Sequence, residues 1–191
     1  LFGPLGMTRT SWRIADYEPN QLAVRYRVRQ CAPLLPVCVT TQQPIANAIV
    51  ARLFDPPRRF RHFEPYPQLG NPNYPDGGLN ASAGDLAVLM RAILDHGAHE
   101  TYRALSAASV EEMLRPQAPE LDERQRFFWR DRDGLTGHAG SGRGVFSYFY
   151  FDRARRDGLI VLINRTPDAG TERAMDQITG RIRRDFPASP R

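Results

Sequence analysis

The sequence predicts an α+β chain on three observations. Residues 145–151 alternate Val145, Ser147, Phe149 and Phe151 with Phe146, Tyr148 and Tyr150, a period of two that belongs to a strand. Residues 159–163 read Leu-Ile-Val-Leu-Ile, a branched apolar run suited to a strand buried on both faces. A polar connector joins the two, so they read as an antiparallel hairpin. Three stretches, 83–96, 107–115 and 171–186, instead carry apolar residues at helical spacing. At 191 residues and 41% hydrophobic content, the chain is long and apolar enough to bury one ordinary core.

Taken in order, residues 1–12 are turn-rich, punctuated by Gly3-Pro4 and Gly6, with Thr8 or Thr10 available to cap a short helix. Residues 23–30 alternate Val24, Tyr26 and Val28 with Arg25, Arg27 and Arg29, the pattern of a half-exposed strand or extended arm. From Cys31 to Asn73 prolines and the basic run at 58–61 break the pattern, apart from a short helix predicted over 45–54. We therefore expect 24–70 to be an irregular insertion or loop. A loop of that length is uncommon unless functional, so substrate contact and passive insertion both stand as readings.

Tyr74-Pro75-Asp76-Gly77-Gly78 is a turn by composition. It delivers the chain to Ser82-Ala83-Gly84-Asp85, a capping box with aspartate in the glutamate position. Leu86, Leu89, Met90, Ile93 and Leu94 then form one stripe, and Gly97 stands where a C-terminal cap belongs. The next helix runs from Ser106 as cap through Val110, Met113 and Leu114 to Pro116. A charged stretch ends in Phe127-Phe128-Trp129. Gly137, Gly140, Gly142 and Gly144 then alternate around His138, Ala139, Ser141 and Arg143, which reads as a glycine-rich loop that admits a close neighbour. Beyond the hairpin, Asp168 or Thr171 caps the last helix. Its stripe is Ala174, Met175, Ile178, Ile182 and Phe186, with Arg181, Arg183 and Arg184 favourable at its C-terminal end. Residues 83–115 thus make a helical region, and 134–186 a hairpin packed by a C-terminal helix.

Composition removes several function classes. Nothing approaches the roughly 18 consecutive apolar residues of a membrane span. All 26 basic residues are arginine, and the formal net charge is +5. These arginines are scattered with no stacking-aromatic motif, so they read as a solvated surface, and we expect no nucleic-acid partner. His62, His96, His99 and His138 show no ligand spacing, so neither a metal nor a cofactor is expected. Cys31 and Cys38 read as two thiols, with a short-loop disulfide as the alternative in an exported protein. The chain opens on Leu1-Phe2-Gly3-Pro4, without an initiator methionine or a basic leader, as though cut from something longer. Localisation is not legible.

The run GHAGSGRGVFSYFYFD followed by GLIVLINR resembles the third motif region of serine hydrolases of the beta-lactamase and D-alanyl-D-alanine-carboxypeptidase type, the penicillin-binding, class C type. Pro4-Leu5-Gly6-Met7-Thr8-Arg9-Thr10 is similar to that family's Pro-Leu-Gly-Met-x-x-Thr segment. The run from Gly77 to Ala87 is similar to its Gly-Gly-Leu-x-x-Ser-x-x-Asp-Leu-Ala. The resemblance implies an antiparallel sheet with helices on both faces plus a helical region, of which residues 1–191 would be the C-terminal portion. It also implies cleavage of an amide or ester bond in a beta-lactam, a D-alanyl peptide or a small ester, through an acyl-serine intermediate.

By motif match His138-Ala139-Gly140 stands in the family's His-x-Gly triplet. His138 would face the cleft, Ala139 and Gly140 would line the substrate, and the Ser141 backbone N–H would be one oxyanion donor. The family's Ser-x-x-Lys is impossible in a chain without lysine. Its Tyr-x-Asn is missing too. The resemblance puts both upstream of Pro4, so the chain alone is expected to be inactive, with the N-terminal half of the same domain completing the site. No internal serine replaces the nucleophile: Ser82 and Ser106 read as caps, Ser147 lies within a strand, and 139–143 misses the Gly-x-Ser-x-Gly spacing. A dyad of His138 with Asp131 or Asp133 is disfavoured on the same ground. The family's Gly-x-Gly-Trp before the third motif survives only as Trp129. The rival reading is a non-catalytic binding domain that kept the cleft wall; an arginine-rich nucleic-acid binder is a weaker one.

Overall fold

A computed structural model describes residues 1–28, 30–31, 38–39, 63–68, 70–71, 74–166 and 169–185. Its strands are β1 (Thr10–Ser11), β2 (Arg25–Val28), β3 (Gln30–Cys31), β4 (Cys38–Val39), β5 (Phe63–Tyr66), β6 (Asn80–Ala81), β7 (Ala98–His99), β8 (Tyr102–Arg103), β9 (Arg130–Arg132), β10 (Leu135–Gly142), β11 (Val145–Asp152) and β12 (Asp157–Ile163). Its helices are α1 (Ala83–Leu94), α2 (Ala107–Leu114) and α3 (Ala169–Asp185). The main sheet is antiparallel with order β12-β11-β10-β9, and short two-stranded pairs surround it. The helix predicted over 45–54, the basic run at 58–61, His62, Asp168, Phe186 and the closing prolines lie outside the described residues. Among the described residues no helix is long and apolar enough to cross a membrane.

The hairpin forms as its alternation predicts, with Phe146 opposite Ile163 and Asp152 opposite Asp157. Its two faces bury different helices. Phe149, Phe151 and Ile160 pack with Met90 and Ile93 of α1, Val110 and Leu114 of α2, and Trp129. Tyr148, Tyr150, Leu159 and Leu135 pack with Met175 of α3. The expectation that 159–163 is buried on both faces fails at Leu162, which is 46% exposed. The reason is where it sits: β12 is the outer strand of the described sheet, and Leu162 lies at the end that α1 and α2 do not reach.

The two serine caps form as expected, whereas Thr10 lies in β1 and caps no helix. Ser82 Oγ accepts from the Asp85 N–H, and Ser106 Oγ from the Ser109 N–H, each at 3.0 Å. At the other end of α1 the Gly97 N–H donates to the Ala92 carbonyl at 2.7 Å, and both His96 and Gly97 are left-handed, at φ 54 and 88. The stop therefore takes two residues, with His96 at the position next to the cap. The last helix starts earlier than Thr171, which lies in its first turn and is buried together with Met175. Ile178 of the expected stripe is 41% exposed, because the packing against the sheet falls on the first half of the helix.

The aspartate half of the expected capping box is not made, because the Asp85 carboxylate is taken up by other donors. Asp85 is 9% exposed and accepts from the Arg9 N–H at 2.8 Å, the Thr10 hydroxyl at 2.7 Å and the Ser82 hydroxyl at 3.0 Å. These bonds fasten the N-terminal segment, whose buried Leu5 and Met7 pack on Ala92. Burial alone would raise the Asp85 pKa. The hydrogen bonds from Thr10, Arg9 and Ser82 outweigh it and hold the carboxyl below its ordinary value. A carboxylate lowered in the folded state stabilises fully above its unfolded pKa of about 3.9, and that contribution is lost as pH falls through the folded value. Asp85→Ala should thus cost about 3 kcal/mol at neutral pH, from stranded donors to a charged acceptor. Urea unfolding at pH 7 and again near pH 2.5 checks this, since the gap between wild type and variant should shrink in acid.

Candidate active site

Glycine lowers strand propensity, yet GHAGSG is not the loop that its composition suggests. It is the last six of the eight residues of β10, and local packing explains why. A Cβ on Gly137 would stand 2.2 Å from the Phe149 carbonyl oxygen and 2.5 Å from the Tyr150 ring, and one on Gly140 would stand 2.6 Å from Ser147 Oγ. The glycines are needed for the strand to lie against β11. The register is Thr136 to Phe151, His138 to Phe149, Gly140 to Ser147 and Ser141 to Phe146.

That register sorts the motif residues by face. Thr136, His138 and Gly140 share the face of Phe149 and Phe151, which α1 and α2 cover. Ala139 and Ser141 share the face of Tyr148 and Phe146, towards α3. His138 is exposed, and so is Ser141. The Ser141 side chain therefore lies across the sheet from His138, which leaves its backbone as the part able to serve the same site. β9 pairs with β10 only from Leu135 to Gly137. From His138 to Gly142 the outer edge of β10 has no strand partner among the described residues, so its backbone groups are open to an extended ligand.

Cover on the helical face also fades along the sheet. In the row Thr136, Phe151 and Gly158, Phe151 is 0% exposed beneath α1 and α2. The row Gly140, Ser147 and Leu162 crosses the same face with a glycine, a serine and a half-exposed leucine. Gly140 and Ser147 are half-buried, and this thinly covered strip adjoins His138.

The surroundings of His138 are aromatic. Its ring stacks on Phe128 with centroids 5.1 Å apart and planes at 15°. Phe128 meets Trp129 edge-on at 5.6 Å, and Trp129 stacks on Phe149 at 5.7 Å. Asp131, the residue that could have made a dyad with His138, forms an ion pair with Arg126 and accepts from Thr136 Oγ1 at 2.8 Å. Asp133 pairs with Arg132, and its carbonyl accepts from Arg183. Neither acid is bonded to His138. Towards α3, burial pushes the Tyr148 and Tyr150 phenols up against the opposing charge of Arg132, so both stay neutral hydrogen-bonding groups.

The described strands of the stretch 24–70 reach this region. β2 and β5 form a regular ribbon in which Arg27 pairs with Glu64 at 3.1 Å. The ribbon docks through Tyr26, whose N–H donates to the Asn164 carbonyl at 2.8 Å and whose carbonyl accepts from the Thr166 N–H at 2.9 Å. Arg143, in the turn after β10, donates to the Tyr66 hydroxyl at 3.1 Å. A separate cleft of about 310 Å³ lies between α1, α2 and the β11–β12 turn. Its charged groups are already paired: Arg153 donates to both Glu111 oxygens at 2.7 Å, His96 lies 3.6 Å from Glu111, and Arg156 pairs with Asp95.

The sequence did not single out Phe128, although the missing glycines before Trp129 marked the place. His96 and His99 lie at the end of α1 as expected, apart from the β10 edge.

Comparison with known proteins agrees with this architecture. Among curated proteins none matches. A solved structure, the octameric penicillin-binding protein homologue from Pyrococcus abyssi, superposes with a TM-score of 0.58 at 18% identity, covering 94% of this chain and 36% of that one. At that identity the likeness establishes the fold. The chain spans about a third of the length of that protein. A model of the family described as Beta-lactamase matches residues 1–181, and the chain belongs to the beta-lactamase family.

Proposed function

We propose that this chain is the C-terminal portion of a serine hydrolase domain that cleaves an amide or ester bond through an acyl-serine intermediate. The observation that carries the reading is the edge of β10 from His138 to Gly142, which has no strand partner among the described residues and lies beside a thinly covered strip of the helical face in a beta-lactamase-family fold. An acyl group lying along that edge would have the Ser141 N–H as one oxyanion donor, Ala139 and Gly140 as its wall, and His138 beside the reacting centre. Three substrate types fit such an edge: a beta-lactam, a D-alanyl peptide or a small ester. The serine, its activating lysine and the tyrosine would come from the N-terminal half of the domain, placed over Gly140, Ser147 and Leu162. The absence of lysine also favours a second reading, a binding domain without chemistry.

Labelling separates the two. A fluorescent penicillin or an activated-ester probe should leave the 191-residue chain unlabelled. It should acylate one serine stoichiometrically in the protein extended to include a Ser-x-x-Lys segment. Stoichiometric labelling of the 191-residue chain would refute the division of the site, and no labelling of the extended protein would favour the binding domain.

A further inference from the structure

Phe128 is 67% exposed, its neighbour Phe127 is 61% exposed, and the Phe128 backbone is left-handed at φ 70. That conformation is costly for a bulky residue and free for glycine. A ring so exposed returns little burial in exchange. Among the described residues the strain is not repaid by burial, and such positions cluster at ligand-binding sites. The sequence also departs from Gly-x-Gly-Trp here, with phenylalanine directly before Trp129. The ring is held in place from the core outward: Phe151 is edge-on to Trp129 at 5.7 Å, Trp129 is edge-on to Phe128, and Phe128 lies parallel to the exposed imidazole of His138. The result is a rigid aromatic surface standing in solvent beside the open edge of β10.

We propose that Phe128 is a specificity-determining residue that selects substrates carrying an aryl group next to the scissile carbonyl, which it receives against its ring beside His138. An exposed aromatic fixed in advance binds another ring at small entropic cost, and aromatic pairs have favourable offset and edge geometries. The proposal rests on the reading of the β10 edge as the acyl site.

The test uses binding, so it does not depend on turnover. The 191-residue chain is titrated with phenylacetate and, separately, with acetate, while the His138 ring resonances are followed by NMR and thermal unfolding is measured for each variant. Phenylacetate should shift the His138 signals and bind about 2- to 10-fold more tightly than acetate, the range for one aromatic pair. Phe128→Gly should abolish that preference without lowering the unfolding midpoint, because it releases the left-handed strain. Phe128→Leu, which retains the strain, should also lose the preference. Equal binding of the two acids, no shift at His138, an unchanged preference in either variant, or a midpoint several degrees lower in Phe128→Gly would overturn it. Labelling of the extended protein without aryl preference would sink this inference alone. Aryl binding without any labelling would sink the hydrolase reading and leave Phe128 as a ligand-binding residue.

Discussion

His138→Ala lowers kcat/KM by about 10- to 1000-fold in the protein extended to include the Ser-x-x-Lys and Tyr-x-Asn segments, the range for losing one positioned acid-base or oxyanion partner. The expectation follows from position. His138 is exposed on the strand edge, among the described residues its side chain has no hydrogen bond, and the ring packed against it, Phe128, is itself exposed. Folding gains little from such a side chain, so the substitution should leave the unfolding midpoint nearly unchanged while activity falls. His96→Ala and His99→Ala are the controls, since His96 terminates α1 and pairs with Glu111, and His99 lies in the short β7 strand. Normal turnover in His138→Ala would remove the histidine from the site.

Phe151→Ala destabilises the chain by about 4 kcal/mol, within the usual cost of truncating a buried phenylalanine. Phe151 is 0% exposed and stands where α1, α2, Trp129 and the sheet meet. A Cβ on its cross-strand partner Gly158 would lie 2.5 Å from Met90 Sδ and 2.9 Å from Phe151 Cβ, so the neighbourhood has no slack to collapse into the cavity. The loss should appear in urea unfolding as a lower midpoint with little change in slope. Because Trp129 orients Phe128, the variant should also disturb the stack on His138. A cost below 1 kcal/mol would mean that the helical region and the sheet do not share this core.

How much of this was legible in the sequence depends on what each element needs. The hairpin and helices α1 and α2 could be read because their signals are local: alternation in 145–151, a stripe through Met90 and Ile93, and serine caps at Ser82 and Ser106. β10 could not be read as a strand from composition, because Gly137 and Gly140 are dictated by Phe149, Tyr150 and Ser147 across the ladder, a contact at long range. Leu162 and Ile178 looked buried by spacing alone, and their exposure depends on where α1, α2 and α3 stop covering the sheet. Resemblance drew attention to His138 and Ser141, but only the register shows that their side chains take opposite faces. Phe128 had no local signal beyond the lost glycines, since a left-handed phenylalanine is recognised from backbone geometry.

The most direct measurement is a crystal structure of the extended protein with an acyl group trapped on its serine. The account predicts that the acyl chain lies along β10 between His138 and Gly142, on the helical face, with its carbonyl oxygen accepting from the Ser141 N–H. An acyl group bound elsewhere, with the β10 edge empty or covered by a strand of the protein itself, would contradict it.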